Sequence, residues 1–119
     1  MYEINIDTNK NVAFLKLVGF MEESEATEAA DALIANLKKL KPGCTLVNDI
    51  SEFKATSEES AKQIKRGQAA VFEIGVKRVI RVVGKAAISQ MQFNRVQREG
   101  DADYETVEVR TMDEAMSFI

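Results

Sequence analysis

Histidine and tryptophan are both absent from the 119 residues, and there is a single cysteine and a single proline. Without histidine, Ser-His-Asp and Cys-His catalysis are excluded, as are histidine-based zinc or iron sites. The lone cysteine, Cys44, rules out thiolate metal clusters and an internal disulfide. Any catalysis would have to run on carboxylates, lysine or tyrosine, so the composition points to binding rather than to an enzyme. It calls for no cofactor and no metal. One cysteine suits a reducing cytosol, although exported bacterial proteins without disulfides also exist. Long apolar runs are missing too, none approaching the ~20 residues needed to span a bilayer. Met1-Tyr2-Glu3-Ile4-Asn5 has neither the basic nor the apolar region of a signal peptide. The expectation is a soluble, cytoplasmic protein.

What is present is ordinary globular material: 45% apolar and 29% charged residues, a balance that argues against disorder. The length fits one domain covering 1–119, large enough to bury roughly two-thirds of the unfolded chain's surface without a metal or disulfide. Alternation at Tyr2-Ile4-Ile6, a turn cluster at 7–11 and the run from Val12 to Val18 predict a β-hairpin ended by Gly19. Ala26, Ala29, Ala30, Leu33, Ile34, Leu37 and Leu40 recur at helical spacing and predict a helix from about Glu22 to Leu40, stopped by Pro42-Gly43. A short buried strand follows at Cys44 to Asp49. Thr56-Ser57-Glu58-Glu59 fits a capping box with Thr56 as the cap. It opens a second helix whose inner stripe is Ala61, Ile64, Gln68, Val71 and Phe72, ended by Gly75. Arg78 to Val83 reads as a strand, about Ala86 to Glu99 as a third helix, and Tyr104 to Val109 as a last strand. Thr111-Met112-Asp113-Glu114 starts a short terminal helix. The expected architecture is an α/β domain with a mixed sheet of about five strands and four helices, in the order ββαβαβαβα. Strands joined through helices favour a parallel core, with the hairpin adding an antiparallel edge.

This order, together with a strand ending Asn48-Asp49-Ile50-Ser51-Glu52-Phe53, resembles the STAS domain of anti-sigma-factor antagonists, the SpoIIAA-like family. The turn Ala55-Thr56-Ser57-Glu58-Glu59-Ser60 matches the family's serine-containing turn at a helix N-terminus. The closing stretch, Thr106-Val107-Glu108-Val109 with Asp113-Glu114-Ala115-Met116, matches its last strand and helix. The resemblance covers nearly the whole chain and implies a bacterial, non-catalytic regulatory module that binds a protein partner. The family's turn reads Asp-Ser-Ser-Gly-Leu-Gly, and its second serine is phosphorylated. Ser57 falls opposite that serine, with Ala55 in place of the Asp and Glu58 in place of the Gly, which is closer to a divergent SpoIIAA-like branch than to a switch-type antagonist.

The resemblance makes Ser57 and Thr56 the phosphorylation or partner candidates, and Asp49, Ser51 and Phe53 a partner loop. A hydroxyl at a helix N-terminus is a favourable place for phosphate. The plainer reading makes Thr56 a cap and Ser57 the first helical residue, with Glu58 and Glu59 repelling added negative charge.

Charge is unevenly distributed. Residues 1–61 carry a net −5, residues 62–98 a net +8 and residues 99–119 a net −6. The basic block would attract an anionic partner, or its bases are outer-face groups paired with the acidic tail. Within it Arg78, Arg81 and Lys85 are the anion- or ligand-binding candidates, the two arginines on opposite faces of one strand, with exposure at the strand end expected. Only Phe72 and Phe93 offer rings in this block, so nucleic acid is the weakest partner class. Gly84-Lys85 lacks the rest of a phosphate loop.

Met21, Met91, Met112 and Met116, with Phe20 and Phe118, could form a pliable apolar surface. SpoIIAA-like domains also resemble CRAL-TRIO lipid-binding folds. The alternatives to a protein-interaction module are therefore a small-ligand or lipid-binding domain with an apolar pocket and basic mouth, and a structural domain that forms a homodimer.

Overall fold

A computed structural model describes residues 1–54, 57–84 and 105–119. Strands β1 (Tyr2–Asp7) and β2 (Val12–Gly19) form the predicted antiparallel hairpin, with Tyr2 opposite Leu17 and Asp7 opposite Val12. Its turn places Asn11 at φ 58°, a left-handed conformation that asparagine tolerates better than most residues. The Asn11 amide also ties the hairpin to the next connection: Nδ2 donates to the Lys41 carbonyl at 3.1 Å and Oδ1 accepts from the Lys41 N–H at 2.8 Å.

Helix α1 (Glu23–Leu37) buries Ala26, Ala29, Ala30, Leu33 and Leu37 on the face the periodicity marks. It ends three residues before the predicted Leu40. Lys39 and Leu40 then donate to the carbonyls of Asn36 and Leu37, a tighter turn that still carries Leu40 into the core. Strand β3 (Thr45–Phe53), helix α2 (Glu58–Ile74), strand β4 (Arg78–Val82), strand β5 (Glu105–Val109) and helix α3 (Met112–Met116) complete the order. Among the described residues there are three helices rather than the expected four; the helix predicted over 86–99 lies outside them, as do Thr56 and Lys85.

The sheet order is β1-β2-β3-β4-β5, antiparallel in the hairpin and parallel from β2 onward. Helices α1 and α2 pack together on one face. Against them lies the main core, which includes Ala13, Leu15, Leu17, Leu46, Ile50, Val71 and Val79. On the other face α3 covers β4 and β5, with Val12, Val47, Ile80, Val82, Val109 and Ala115 as a smaller cluster. Beyond that cluster the same face is polar, and Lys16 pairs there with Glu52 at 2.7 Å.

Strand β3 is longer than the sequence suggests, because it runs through Ile50-Ser51-Glu52 to Phe53. Its register against β2 slips between Lys16 and Val18: Lys16 stands opposite Asp49, but Val18 stands opposite Glu52. The extra residue is a β-bulge, which breaks the two-residue alternation. Ile50 and Phe53 therefore both point into the α1/α2 layer.

Helix α2 stops at Gly75, whose φ of 91° is the left-handed conformation of a C-terminal cap. The Val76 N–H then closes back onto the Val71 carbonyl at 3.1 Å, and Val76 is buried. Phe72, assigned to the inner stripe, is instead 52% exposed. Leu37→Ala, which empties a fully buried site, is expected to destabilise the fold by about 2–5 kcal/mol. Phe72→Ala should stay within about 0.5 kcal/mol. Chemical denaturation of the two variants against the wild type measures both.

Candidate functional site

Two groups of residues converge on the α1/α2 side. The first joins the starts of the two helices. Ser57 is the N-cap of α2, its Oγ accepting from the Ser60 N–H at 3.2 Å, and Thr56, read from the sequence as the cap, lies outside the described residues. Ser57 Oγ also donates to Ser60 Oγ at 3.1 Å, and Ser60 Oγ donates to the Met21 carbonyl at 3.0 Å. Ser60 is fully buried, so this chain of bonds fixes the segment entering α1 against the first turn of α2. Around it stand the exposed carboxylates of Glu22, Glu23, Glu58 and Glu59, and Phe20, 58% exposed. Met21, expected on an apolar surface, is buried; Met112, Met116 and Phe118 are exposed, and Met91 lies outside the described residues.

Asp49 and Ser51 lie on β3 rather than in a loop. Asp49 Oδ1 accepts from the Ser51 N–H at 3.0 Å and from its hydroxyl at 2.6 Å, a local bracket at the bulge. Gly84, at φ +56°, lies against Ser51 so closely that an added Cβ would come within 3.0 Å of the serine's Cβ. Phe53 is not a surface contact, because the bulge turns it inward and it is buried.

The second group lines a cavity of about 630 Å³, solvent-open space included, between the sheet and the two helices. Its described walls are almost all apolar: leucines of β2 and β3, the alanines of α1, Met21, Phe53, Ile64, Val71 and Val79. Asn48, Gln63, Gln68 and Arg81 are the polar exceptions. Arg81 is the correction of most consequence to the sequence reading. It was expected at an exposed strand end, and it is 1% exposed, on the cavity side of β4. Asn48 stands opposite Arg81 in the β3–β4 register and is also buried. No hydrogen-bond donor among the described residues reaches its Oδ1. Gln68 faces them from α2. On the far side of Arg81, Glu108 holds the matching position on β5 and is exposed.

Gly67 forms part of the cavity wall in mid-α2. A Cβ there would lie 3.7 Å from Leu33 Cδ2, an ordinary contact, so close helix packing does not demand glycine at this position.

The rest of the basic block is partly neutralised. Arg78, on the opposite face from Arg81, pairs with Glu105 of β5 at 3.2 Å and lies over the Phe118 ring. Arg66 pairs with Asp31 of α1 at 2.8 Å. The pairing of Arg78 follows the expected match with the acidic tail, whereas that of Arg66 reaches the first helix instead.

Of the sequence candidates, the structure brings Ser57 to the helix start and Arg81 to the cavity, and leaves Arg78 on the other face. Asn48 and Ser60, which the structure places at the cavity wall and at the helix junction, were not among the sequence candidates. The signal for Asn48 was its place in the alternation Leu46-Asn48-Ile50, a polar residue at an inward position. That for Ser60 was only its spacing from Ser57.

No protein-family model matches the sequence, and no curated protein matches it. Solved structures do. An uncharacterised protein of the DUF3478 family with a SpoIIAA-like fold, from Shewanella loihica PV-4, matches with a TM-score of 0.74 at 17% identity, over 98% of this chain and 92% of that one. The anti-sigma factor antagonist SpoIIAA in its unphosphorylated form gives 0.66 at 8% identity, over 99% and 96%. An anti-sigma factor antagonist from Mycobacterium paratuberculosis gives 0.60 at 13% identity, over 100% and 94%. The chain therefore has the SpoIIAA-like, STAS-like fold across its length. No helix among the described residues is long and apolar enough to cross a membrane.

Removing the cap with Ser57→Ala should cost about 1 kcal/mol, read as a lower midpoint in chemical denaturation with an unchanged slope. Burial pushes the Cys44 thiol above its ordinary pKa and leaves it 1% exposed. The nucleophile is the thiolate, so a thiol reagent at mildly alkaline pH should label the folded protein slowly and the denatured protein at once.

Proposed function

We propose that this chain is a non-catalytic regulatory module that works by docking a protein partner, and that its contact surface is the end of the domain where α1 and α2 begin. The observation that supports this reading is the Ser57–Ser60–Met21 chain of hydrogen bonds. It fixes two loop-to-helix junctions in one arrangement and leaves Phe20 exposed among four carboxylates. An exposed aromatic in a charged rim is the pattern of an interface anchor. The likeness in fold to two anti-sigma factor antagonists supports the same class of function.

The chemistry of the rim bears on how such a contact is controlled. Ser57 Oγ is engaged in the cap, and Glu58 and Glu59 already place negative charge in the first turn. A phosphate on Ser57 would add to that charge and remove the hydrogen donated to Ser60. The surface is thus acidic in its resting form and suits a basic partner face with a pocket for Phe20. Phosphorylation at Ser57 or Thr56 would strengthen an existing charge rather than create one.

Affinity isolation on the immobilised chain from cells of its source, followed by titration with the purified partner, tests this. Phe20→Ala should weaken binding at least about tenfold. Ser57→Asp keeps a good capping residue, so it should leave the protein folded while shifting affinity; Thr56→Ala probes the neighbouring hydroxyl. A partner that binds all three variants as it binds the wild type would sink the reading.

A further inference from the structure

We propose that two copies of this chain pair through the outer face of the α1/α2 layer, the acidic middle of α1 in each lying over the basic middle of α2 in the other. Both helices return between parallel strands, so they run side by side in the same direction. Two contacts fix their relative level. The starts are held by the Ser57–Ser60–Met21 bonds. Farther along, Arg66 Nη2 donates to the Thr27 carbonyl at 3.2 Å and pairs with Asp31 at 2.8 Å. At ~1.5 Å per residue, Glu28 and Asp31 stand about 8 and 12 Å from the start of α1, and Lys62 and Lys65 about 6 and 11 Å from the start of α2. All four are exposed. The acidic and basic groups therefore share one level on neighbouring helices.

A face that is only solvated has no need of this segregation. Opposite charges three and four residues apart support a helix, and like charges at those spacings oppose it. Here α1 repeats acid at Glu25, Glu28 and Asp31, and α2 repeats base at Lys62, Lys65 and Arg66. Asp31 and Arg66 satisfy each other across the seam. Lys62 and Lys65 form no ion pair among the described residues, although Glu58 lies one turn before Lys62. Glu28 accepts from the Tyr2 hydroxyl at 3.2 Å and meets no cation among them.

A two-fold axis along the α1–α2 seam, parallel to the helices, brings these groups together. It carries α1 of one copy onto α2 of the other at equal distance from the helix starts. Glu28, on the β1 side of α1, then meets Lys65, on the flank of α2 away from α1, and Asp31 meets Lys62 and Arg66. Farther down, Ala35 and Ala69 stand at about 18 and 17 Å, so small side chains oppose each other and the layers can close. One face carries both halves of the charge pattern, which fits a second copy better than an unrelated partner, and such an isologous contact closes at two. Two helices about 22–25 Å long and roughly 10 Å apart give a footprint at the small end of specific interfaces, so the dimer is micromolar and salt-sensitive. The acidic docking ends of both copies lie at one end of this dimer, which does not itself depend on the docking surface.

Sedimentation equilibrium of the full chain, from low micromolar to near-millimolar concentration, provides the test. The mass should rise from one chain to two and stop there, and ~0.5 M sodium chloride should weaken the dimer about tenfold or more. Lys62→Glu with Lys65→Glu should weaken it at least about a hundredfold, and Glu28→Lys with Asp31→Lys equally, each variant folded by circular dichroism. Lys10→Glu with Lys41→Glu, on connections away from this face, should dimerise as the wild type does. An equimolar mixture of the two charge-reversed variants should dimerise again, because each reversed helix then meets the opposite charge in the other copy. A constant mass of one chain, growth beyond two, a dimer insensitive to both reversals, or a mixture that stays monomeric would each overturn the proposal. If a reversed variant does not fold, the wild-type dimer carries the test, and one that ~0.5 M salt leaves unchanged overturns it too.

Discussion

Parallel strands in the middle of a sheet must be covered on both faces, and this requirement organises the molecule. Successive residues of β3 (Leu46 to Asn48) and of β4 (Val79 to Val82) are buried, so both sides of each strand are covered. The α1/α2 layer covers one side, and the five residues of α3 the other, over β4 and β5 alone. Where the second cover runs out, the sheet face turns polar, with Lys16 and Glu52 paired in the open. The hairpin serves the same requirement from the edge. Its outer strand alternates cleanly, Tyr2, Ile4 and Ile6 packing on the core and their neighbours facing away.

Against that background the polar positions at Asn48 and Arg81 stand out. They occupy adjacent places on the two most buried strands, on the face where every other register neighbour is apolar. Such groups rarely add stability, since their desolvation offsets what they gain from partners. Both stand at the wall of the cavity rather than within close packing. Gly67 forms part of the opposite wall, where an alanine would fit and would favour the helix by about 1 kcal/mol.

Much of this fold was legible in the sequence, for reasons that differ by element. The hairpin, α1 and the parallel order follow from local periodicity and turn chemistry, which need no knowledge of distant residues. The length of β3 did not, because its bulge exists only relative to Lys16 and Val18 on β2. Without that partner Phe53 reads as loop, and with it Phe53 becomes core. Arg81 shows a different failure. Period-two alternation with Val79 and Val83 already placed it inward, and the general preference of charge for solvent argued the other way. Alternation prevailed here. Phe72 is the converse: one turn beyond Gln68, it fits the helical stripe, yet it lies on the flank of α2 and stays in solvent. Ser57 was legible as a candidate by its place at a helix start, but whether it or Thr56 made the cap depended on where the first turn closed.

The docking surface and the cavity share one residue, and this sets how they could communicate. Met21 forms part of the cavity wall with its side chain, and its carbonyl accepts the Ser60 hydroxyl that holds the two helix starts together. A shift of Met21 would load that hydrogen bond, and through Ser60 the Ser57 cap. Communication in the other direction uses the same atoms, because a partner that shifts Phe20 moves the residue next to Met21. Coupling between two sites is reciprocal in binding free energy, so anything held in the cavity that changes partner affinity must have its own affinity changed equally by the partner. Among the described residues one short path for such coupling runs from the cavity wall through a buried hydroxyl to the helix cap. Ser60, which is buried and is not among the described lining residues of the cavity, is the position where that path could be cut.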